Sequence, residues 1–298
     1  MAKIIHVFRG AWTHDGAGVK LYRAFGGPTI AELTDPFLLL DHFGSRNPHE
    51  YLMGFPWHPH RGIQTVTYLL KGEVRHGDSM GYSGVIGQGD VQWMNAGSGI
   101  FHEEMPRPSR RVEGGVEVED PEVSGFQLWV NLPRGQKMSD PEYKNIKSNS
   151  IPAVRLDEGA VAKLIAGRLY ERGTGVVEGP VSGLKTPVAY MDVRLEEGGA
   201  FRASAKEGWT VLVYVYRGSA SFNGRRVSAG EIALFDRSGG EILAEGAGAF
   251  LFLTGMPLEE PIAWWGPIVM NTWDEIETAR RELAEGRFVK KGARVVDI

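Results

Sequence analysis

Apolar positions along the chain fall in short runs that alternate with polar ones and end at Gly, Asn or Pro. Residues 63–70, 90–94 and 126–131 read IQTVTYLL, DVQWM and FQLWVN, β-branched and aromatic stretches bounded by turn formers, and each predicts a strand. The pattern resumes at 188–195, 210–216, 231–235 and 249–253. Glycine supplies the breaks: 40 of the 298 residues are Gly, scattered between the runs without a collagen-like period. Many tight turns and a mostly antiparallel all-β fold follow.

Between the two sets of strands the composition shifts. Residues 134–141 form a polar stretch closed by Pro141, and an Asn/Ser/Lys-rich segment follows at 144–150. A domain boundary is expected there, giving an N-terminal domain over 1–135 and a C-terminal domain over 136–298. The halves resemble each other in order: YLLKG at 68–72 matches YVYRG at 214–218, and GDV at 89–91 matches GEI at 230–232. Two similar β-barrels are the simplest reading. The C-terminus departs from this pattern. Thr272 and Glu275 form a Ser/Thr-x-x-Glu capping box ahead of Ile276, Ala279, Leu283 and Ala284 at helical spacing, which predicts one terminal helix of about three to four turns lying on the C-terminal barrel.

Composition narrows the function. With 33 Lys+Arg against 37 Asp+Glu the net charge is −4, unsuited to neutralising phosphates, so nucleic acid is not expected as a direct ligand. No cysteine is present, which removes disulfides, Cys-ligated zinc, iron–sulfur clusters and thiol nucleophiles. Every apolar run is far shorter than the roughly 18 residues of a bilayer span. The N-terminus, with Lys3, His6 and Arg9 among short apolar stretches, lacks the core of a signal peptide. A cytoplasmic chain without membrane contact is expected, a nuclear location being compatible in a eukaryote.

Histidine carries the candidate chemistry. All eight (His6, His14, His42, His49, His58, His60, His76 and His102) lie in the first 102 residues, so an imidazole site belongs to the first domain. Residues i and i+2 of a strand face the same way, so His58 and His60 point together, as do His102 and Glu104, while Glu103 points away. If the two strands are neighbours with those faces inward, three imidazoles and one carboxylate converge. That donor set suits Fe(II), Mn(II), Ni(II) or Cu(II) and leaves positions for water or substrate.

Longer motifs surround these residues: LDHFG at 40–44, FPWHPHRG at 55–62, TVTYLL at 65–70, GDVQWM at 89–94 and AGSGIFHEEMP at 96–106, then QLWVNL at 127–132 with Lys137 and Met138, PLEEP at 257–261 and GPIVMN at 266–271. Together they resemble the pirin family of the cupin superfamily over almost the whole chain. The resemblance implies a bicupin of two antiparallel barrels, the N-terminal one holding a single iron on His58, His60, His102 and Glu104 and the C-terminal one metal-free. Fe(II) is the first expectation, with Mn, Ni, Cu or Zn compatible. The family is associated with quercetin 2,3-dioxygenase activity and with regulation through protein partners, including transcription factors in eukaryotes. The leading expectation is an iron-dependent oxygenase, a monomer acting on a flavonol or a similar small enediol-like substrate, in which Glu104 leaves the metal and takes the substrate hydroxyl proton. The alternative is an iron- or redox-sensing regulator that works through protein partners without turnover. One departure stands out: pirins read His-Pro-His-Arg-Gly-Phe-Glu where this chain has Ile63 and Gln64, so a carboxylate expected near the metal becomes an amide that cannot act as a base.

Other signals carry less. GDSMG at 77–81 matches the nucleophile-elbow pattern but lacks a following helix pattern, and no histidine follows residue 102 to complete the usual order of nucleophile, acid and base. Asp41 and His42 stay unassigned, Arg107, Arg110 and Arg111 read as a solvated loop, and Trp264, Trp265, Tyr214, Tyr216 and Phe222 read as packing aromatics.

Overall fold

The computed structural model describes residues 1–156, 159–171, 175–290 and 294–297. Strands dominate, as the alternation predicts, and the chain forms two compact units. The unit that contains His58, His60 and His102 comprises residues 11–31, 37–148 and 260–298. Its larger sheet runs in the order Ala11–Asp15, Val19–Gly26, Phe37–Ser45, Val123–Asn131, Ile63–Lys71, Val91–Asn95, Glu142–Ile146 and Arg294–Asp297. A four-stranded sheet, Phe55–His60, Ile100–Arg107, Glu73–Asp78 and Ser83–Ile86, faces it. Apolar side chains from both sheets join in one core, Leu21, Phe43, Leu69 and Val123 from the larger against Val74 and Ile86 from the smaller, which is the two-layer jelly-roll arrangement of a cupin.

The second unit comprises residues 1–10, 32–36 and 149–259. Its eight-stranded sheet is built on two long antiparallel strands, Val188–Ala205 and Gly240–Gly255, with Thr210–Phe222 beside the latter. Phe201, Phe222, Phe250 and Phe252 fill its core, and Tyr214 is buried too, so these aromatics pack as the strand pattern implies. The hydrogen-bonded ladders of the described strands form open sheets in both units rather than closed barrels.

The units are distributed along the chain differently from the contiguous halves 1–135 and 136–298. Strand Ile4–Arg9 pairs with Glu231–Phe235 and so belongs to the second unit. Residues 134–141, read above as a linker, lead into strand Glu142–Ile146, which buries Tyr143 and Ile146 and pairs antiparallel with Val91–Asn95 in the histidine unit. The terminal helix Trp273–Ala284 carries the expected capping box, but it packs in the histidine unit, where Ile276 and Ala279 join Ile268, Met270 and Phe288. Sequence periodicity identifies the helix and its buried face; the face's partner is set by chain routing that periodicity does not encode. Among the described residues no helix is long and apolar enough to cross a membrane.

Both halves of the capping box are made: Thr272 Oγ1 accepts from the Glu275 amide and the Glu275 carboxylate accepts from the Thr272 amide. Thr272→Ala should therefore lower stability by about 1 kcal/mol, read as a reduced urea midpoint at unchanged slope; an unchanged midpoint would show the cap to be dispensable.

Candidate metal centre

Strands Phe55–His60 and Ile100–Arg107 are antiparallel neighbours with His58 opposite His102. Burial alternates along the second strand, His102 and Glu104 inward and Glu103 outward, as the period of two requires. One ring nitrogen from each of His58, His60 and His102 lies within 4.8 Å of the others. The outer nitrogens settle the tautomers of the first two rings. His58 Nδ1 lies 2.8 Å from the carbonyl of Pro56 and His60 Nδ1 lies 3.2 Å from that of Pro267. A carbonyl can only accept, so both Nδ1 atoms carry a hydrogen and Nε2 is the inward-facing nitrogen of each ring. Those two Nε2 atoms are 3.0 Å apart. Burial, reinforced by His58, pushes the basicity of His60 and His102 well below the ordinary histidine range, so both rings are neutral at neutral pH. Converging neutral nitrogens of this kind fit a cation held between them.

Glu104 completes the inward face. Its Oε2 is 3.9 Å from His102 Nε2. Thr67 Oγ1 donates to Oε1 at 2.9 Å and Gln127 Nε2 donates to Oε2 at 2.8 Å. Among the described residues no Lys or Arg pairs with this buried carboxylate, a position that favours a metal ion as its counter-charge. Thr67 and Gln127 project from the larger sheet, so the site forms where the two sheets face each other.

The segment after His60 is anchored by two buried cations. Arg61 donates to the carbonyls of Ser98 and Phe288 and pairs with Glu282 at 2.7 Å. Lys137 directs its ammonium at the carbonyls of Gly62 and Val269 and at Asn131 Oδ1. Gly62 has a positive φ of 78°, and a Cβ there would lie 2.0 Å from the Val269 carbonyl; only glycine lets the C-terminal arm come this close. That arm brings the Pro267 carbonyl to His60.

A cavity of about 600 Å³ opens on this face, with His58, His60, Glu104 and Gln127 in its wall. Aromatic side chains make up much of the rest, and Trp264 stacks on Trp129 with ring centroids 6.0 Å apart. At another part of the wall Arg23 holds the buried Asp41 through two nitrogens at 2.9 and 2.8 Å and reaches Asp15 at 2.8 Å.

All four candidate ligands thus lie together. Four residues beside them, Thr67, Gln127, Pro267 and His76, were not assigned from sequence. His76 is opposite Glu104 on strand Glu73–Asp78, a relation that needs strand register. The expectation for Gln64 is corrected: it stands on the opposite face of its strand from Thr67, accepts from the Trp93 indole at 3.0 Å and does not line the cavity. His42, next to Asp41, is packed against Phe126 and pushed down to about 4 by burial. Gly77 and Asp78 of GDSMG end strand Glu73–Asp78, and the rest turns into strand Ser83–Ile86, with no elbow helix.

The fold and the site define a cupin of two units with a histidine-rich centre in one of them. The chain belongs to the pirin family: residues 18–130 match the Pirin model and residues 190–289 match that of the pirin C-terminal cupin domain. A pirin-like protein of Caulobacter vibrioides is 40% identical over 287 residues, covering 96% of this chain and 98% of its own. Pirin of Rattus norvegicus is 34% identical over 295 residues, covering 94% and 91%. Among solved structures, a quercetin 2,3-dioxygenase from Acinetobacter baumannii is similar with a TM-score of 0.85 at 34% identity, covering 97% of this chain and 98% of that one.

Burial lowers the basicity of His42, His60, His76 and His102. In the metal-free protein these rings stay neutral in the fold and take up protons on unfolding. Their stabilisation is complete above the unfolded value of about 6.5 and is lost as pH falls, at about 1.4 kcal/mol per pH unit for each ring. Asp35 and Asp41, raised by burial, act with the opposite sign, but four rings outnumber two carboxylates. The urea midpoint of the metal-free chain should fall from about pH 7 to about pH 5; a flat or rising midpoint would contradict the buried neutral state.

Proposed function

We propose that His58, His60, His102 and Glu104 hold one divalent metal, Fe(II) in the cell, and that the protein is a dioxygenase of the quercetin 2,3-dioxygenase type acting on a flavonol or a similar small enediol-like molecule. The observation that carries this reading is the cavity of about 600 Å³, with Phe43, Phe55, Trp57, Trp129 and Trp264 in its wall beside His58, His60 and Glu104, a shape suited to a flat substrate with an oxygen-bearing edge. The name of the Acinetobacter relative agrees with it. A cavity of this size beside the candidate ligands favours turnover over a purely sensing role.

Bound there, iron would supply Lewis acidity toward a substrate oxygen and the redox chemistry that dioxygen requires. The protein's own contribution is a place for a proton. Glu104 takes the substrate hydroxyl proton on Oε1, and the bonds around Thr67 adjust without moving heavy atoms. Thr67 Oγ1 lies 2.9 Å from Glu104 Oε1 and 2.6 Å from Gln127 Oε1, yet a hydroxyl has one hydrogen to give. With Glu104 ionised, that hydrogen points to Oε1. With Glu104 protonated, the hydroxyl accepts from the carboxyl and turns its hydrogen to Gln127. Gln127 Nε2 keeps the second carboxyl oxygen throughout.

The test is oxygen uptake with a flavonol, measured per bound metal. Wild type should consume oxygen, and His58→Ala and His102→Ala should lose metal. Glu104→Gln should fall by about 100-fold or more per metal, and Thr67→Val should fall by about 10-fold or more with its metal retained. Equal activity per metal in Glu104→Gln would refute the base role; an iron-loaded wild type inert toward flavonols would refute the oxygenase reading.

A further inference from the structure

Outer hydrogen bonds distinguish the three imidazoles. His58 and His60 each rest an Nδ1–H on a backbone carbonyl. His102 does not: its Nδ1 is buried and has no protein partner. A ligating histidine almost always gives its second nitrogen to a carboxylate, a carbonyl or a water, which fixes the ring's orientation.

Beside His102 lies a group of buried polar side chains, of which His76 is in the same condition. Strand Glu73–Asp78 sets Asp78 opposite His102 and His76 opposite Glu104. The His76 ring centroid is 5.4 Å from that of His102 and 5.0 Å from that of Tyr143. His76, Asp78 and Tyr143 are 4%, 6% and 0% exposed. Neither nitrogen of His76 makes a hydrogen bond, and the Tyr143 hydroxyl has the Asp78 carboxylate as its hydrogen-bonding neighbour. Asp78 Oδ1 accepts from the amides of Met80 and Tyr82, so the carboxylate is held in place. Unpartnered buried groups are costly one at a time and are not gathered by packing alone. Their donors and acceptors are complementary: an N–H from His102, an acceptor oxygen from Asp78, and both functions from His76 and Tyr143. A water needs two to four such partners.

We infer that bound water shared by His76, Asp78 and Tyr143 is the outer partner of His102, making His76 and Tyr143 positioning residues for the metal centre. The inference rests on the metal reading above. It divides the centre into two ligands steadied by backbone and one steadied by a hydrated polar chamber.

Cobalt(II) serves as the probe, because its ligand-field spectrum reports coordination geometry without turnover. Tyr143→Phe deletes only the hydroxyl, and His76→Gln keeps a polar group of similar reach. Tyr143→Phe should weaken cobalt binding about 10- to 100-fold and shift the cobalt bands, with His76→Gln weakened less than His76→Leu. A merely structural role would lower the unfolding midpoint of the metal-free variants while leaving cobalt affinity and the cobalt bands of the folded protein unmoved. Cobalt affinity within twofold of wild type and an unchanged spectrum in both Tyr143→Phe and His76→Leu would overturn the inference while leaving the centre intact. A wild-type chain that takes up no cobalt would overturn the metal reading and this inference with it.

Discussion

The carbonyl oxygens of Pro56 and Pro267 can accept hydrogen bonds but not donate them, and the electronic state of the centre follows from that restriction. Each engages an Nδ1–H, so the Nε2 atoms of His58 and His60 are turned toward each other at 3.0 Å. Burial keeps the His60 and His102 rings neutral at neutral pH. A metal cation, as proposed, would satisfy both nitrogens at once and give the buried Glu104 carboxylate a counter-charge.

Holding that geometry requires parts far apart in sequence. Pro267 stands 207 residues from His60, on an arm tied back by Arg61, Lys137 and the close approach at Gly62. Ion pairs such as Arg61 with Glu282 add little net stability once desolvation is counted, but separating their partners is expensive. Their effect is to fix one register of the arm against the ligand strand. The terminal helix belongs to this apparatus: its buried residues Ile276 and Ala279 pack with Ile268 and Met270, just beyond the proline that orients His60.

How much of this was legible in the sequence depends on the range of the interaction. Strand alternation alone put His58 with His60 and His102 with Glu104 on common faces, and the capping box located the terminal helix, because both are local periodicities; that the two faces meet depends on strand pairing. His76 escaped notice because its approach to Glu104 depends on register between strands Glu73–Asp78 and Ile100–Arg107. Pro267 and Thr67 escaped because a carbonyl or a threonine in a strand carries no signal until its neighbour is known. Gln64 shows a different failure. Its parity with Val66 and Tyr68, opposite to Thr67, was readable, yet family analogy drew it to the metal; the Trp93 indole is its actual partner. The polar stretch 134–141 resembled a linker because Lys137 looks solvated until its three buried acceptors are in place.

The central claim is that three imidazoles and one carboxylate share a single metal, and X-ray absorption at the iron edge of protein purified with its native metal tests it most directly. The account predicts one iron per chain with a first coordination shell of nitrogen and oxygen only, and multiple-scattering features that require three imidazoles. A shell with fewer than three imidazoles, or iron far below one per chain with no other divalent metal in its place, would contradict it.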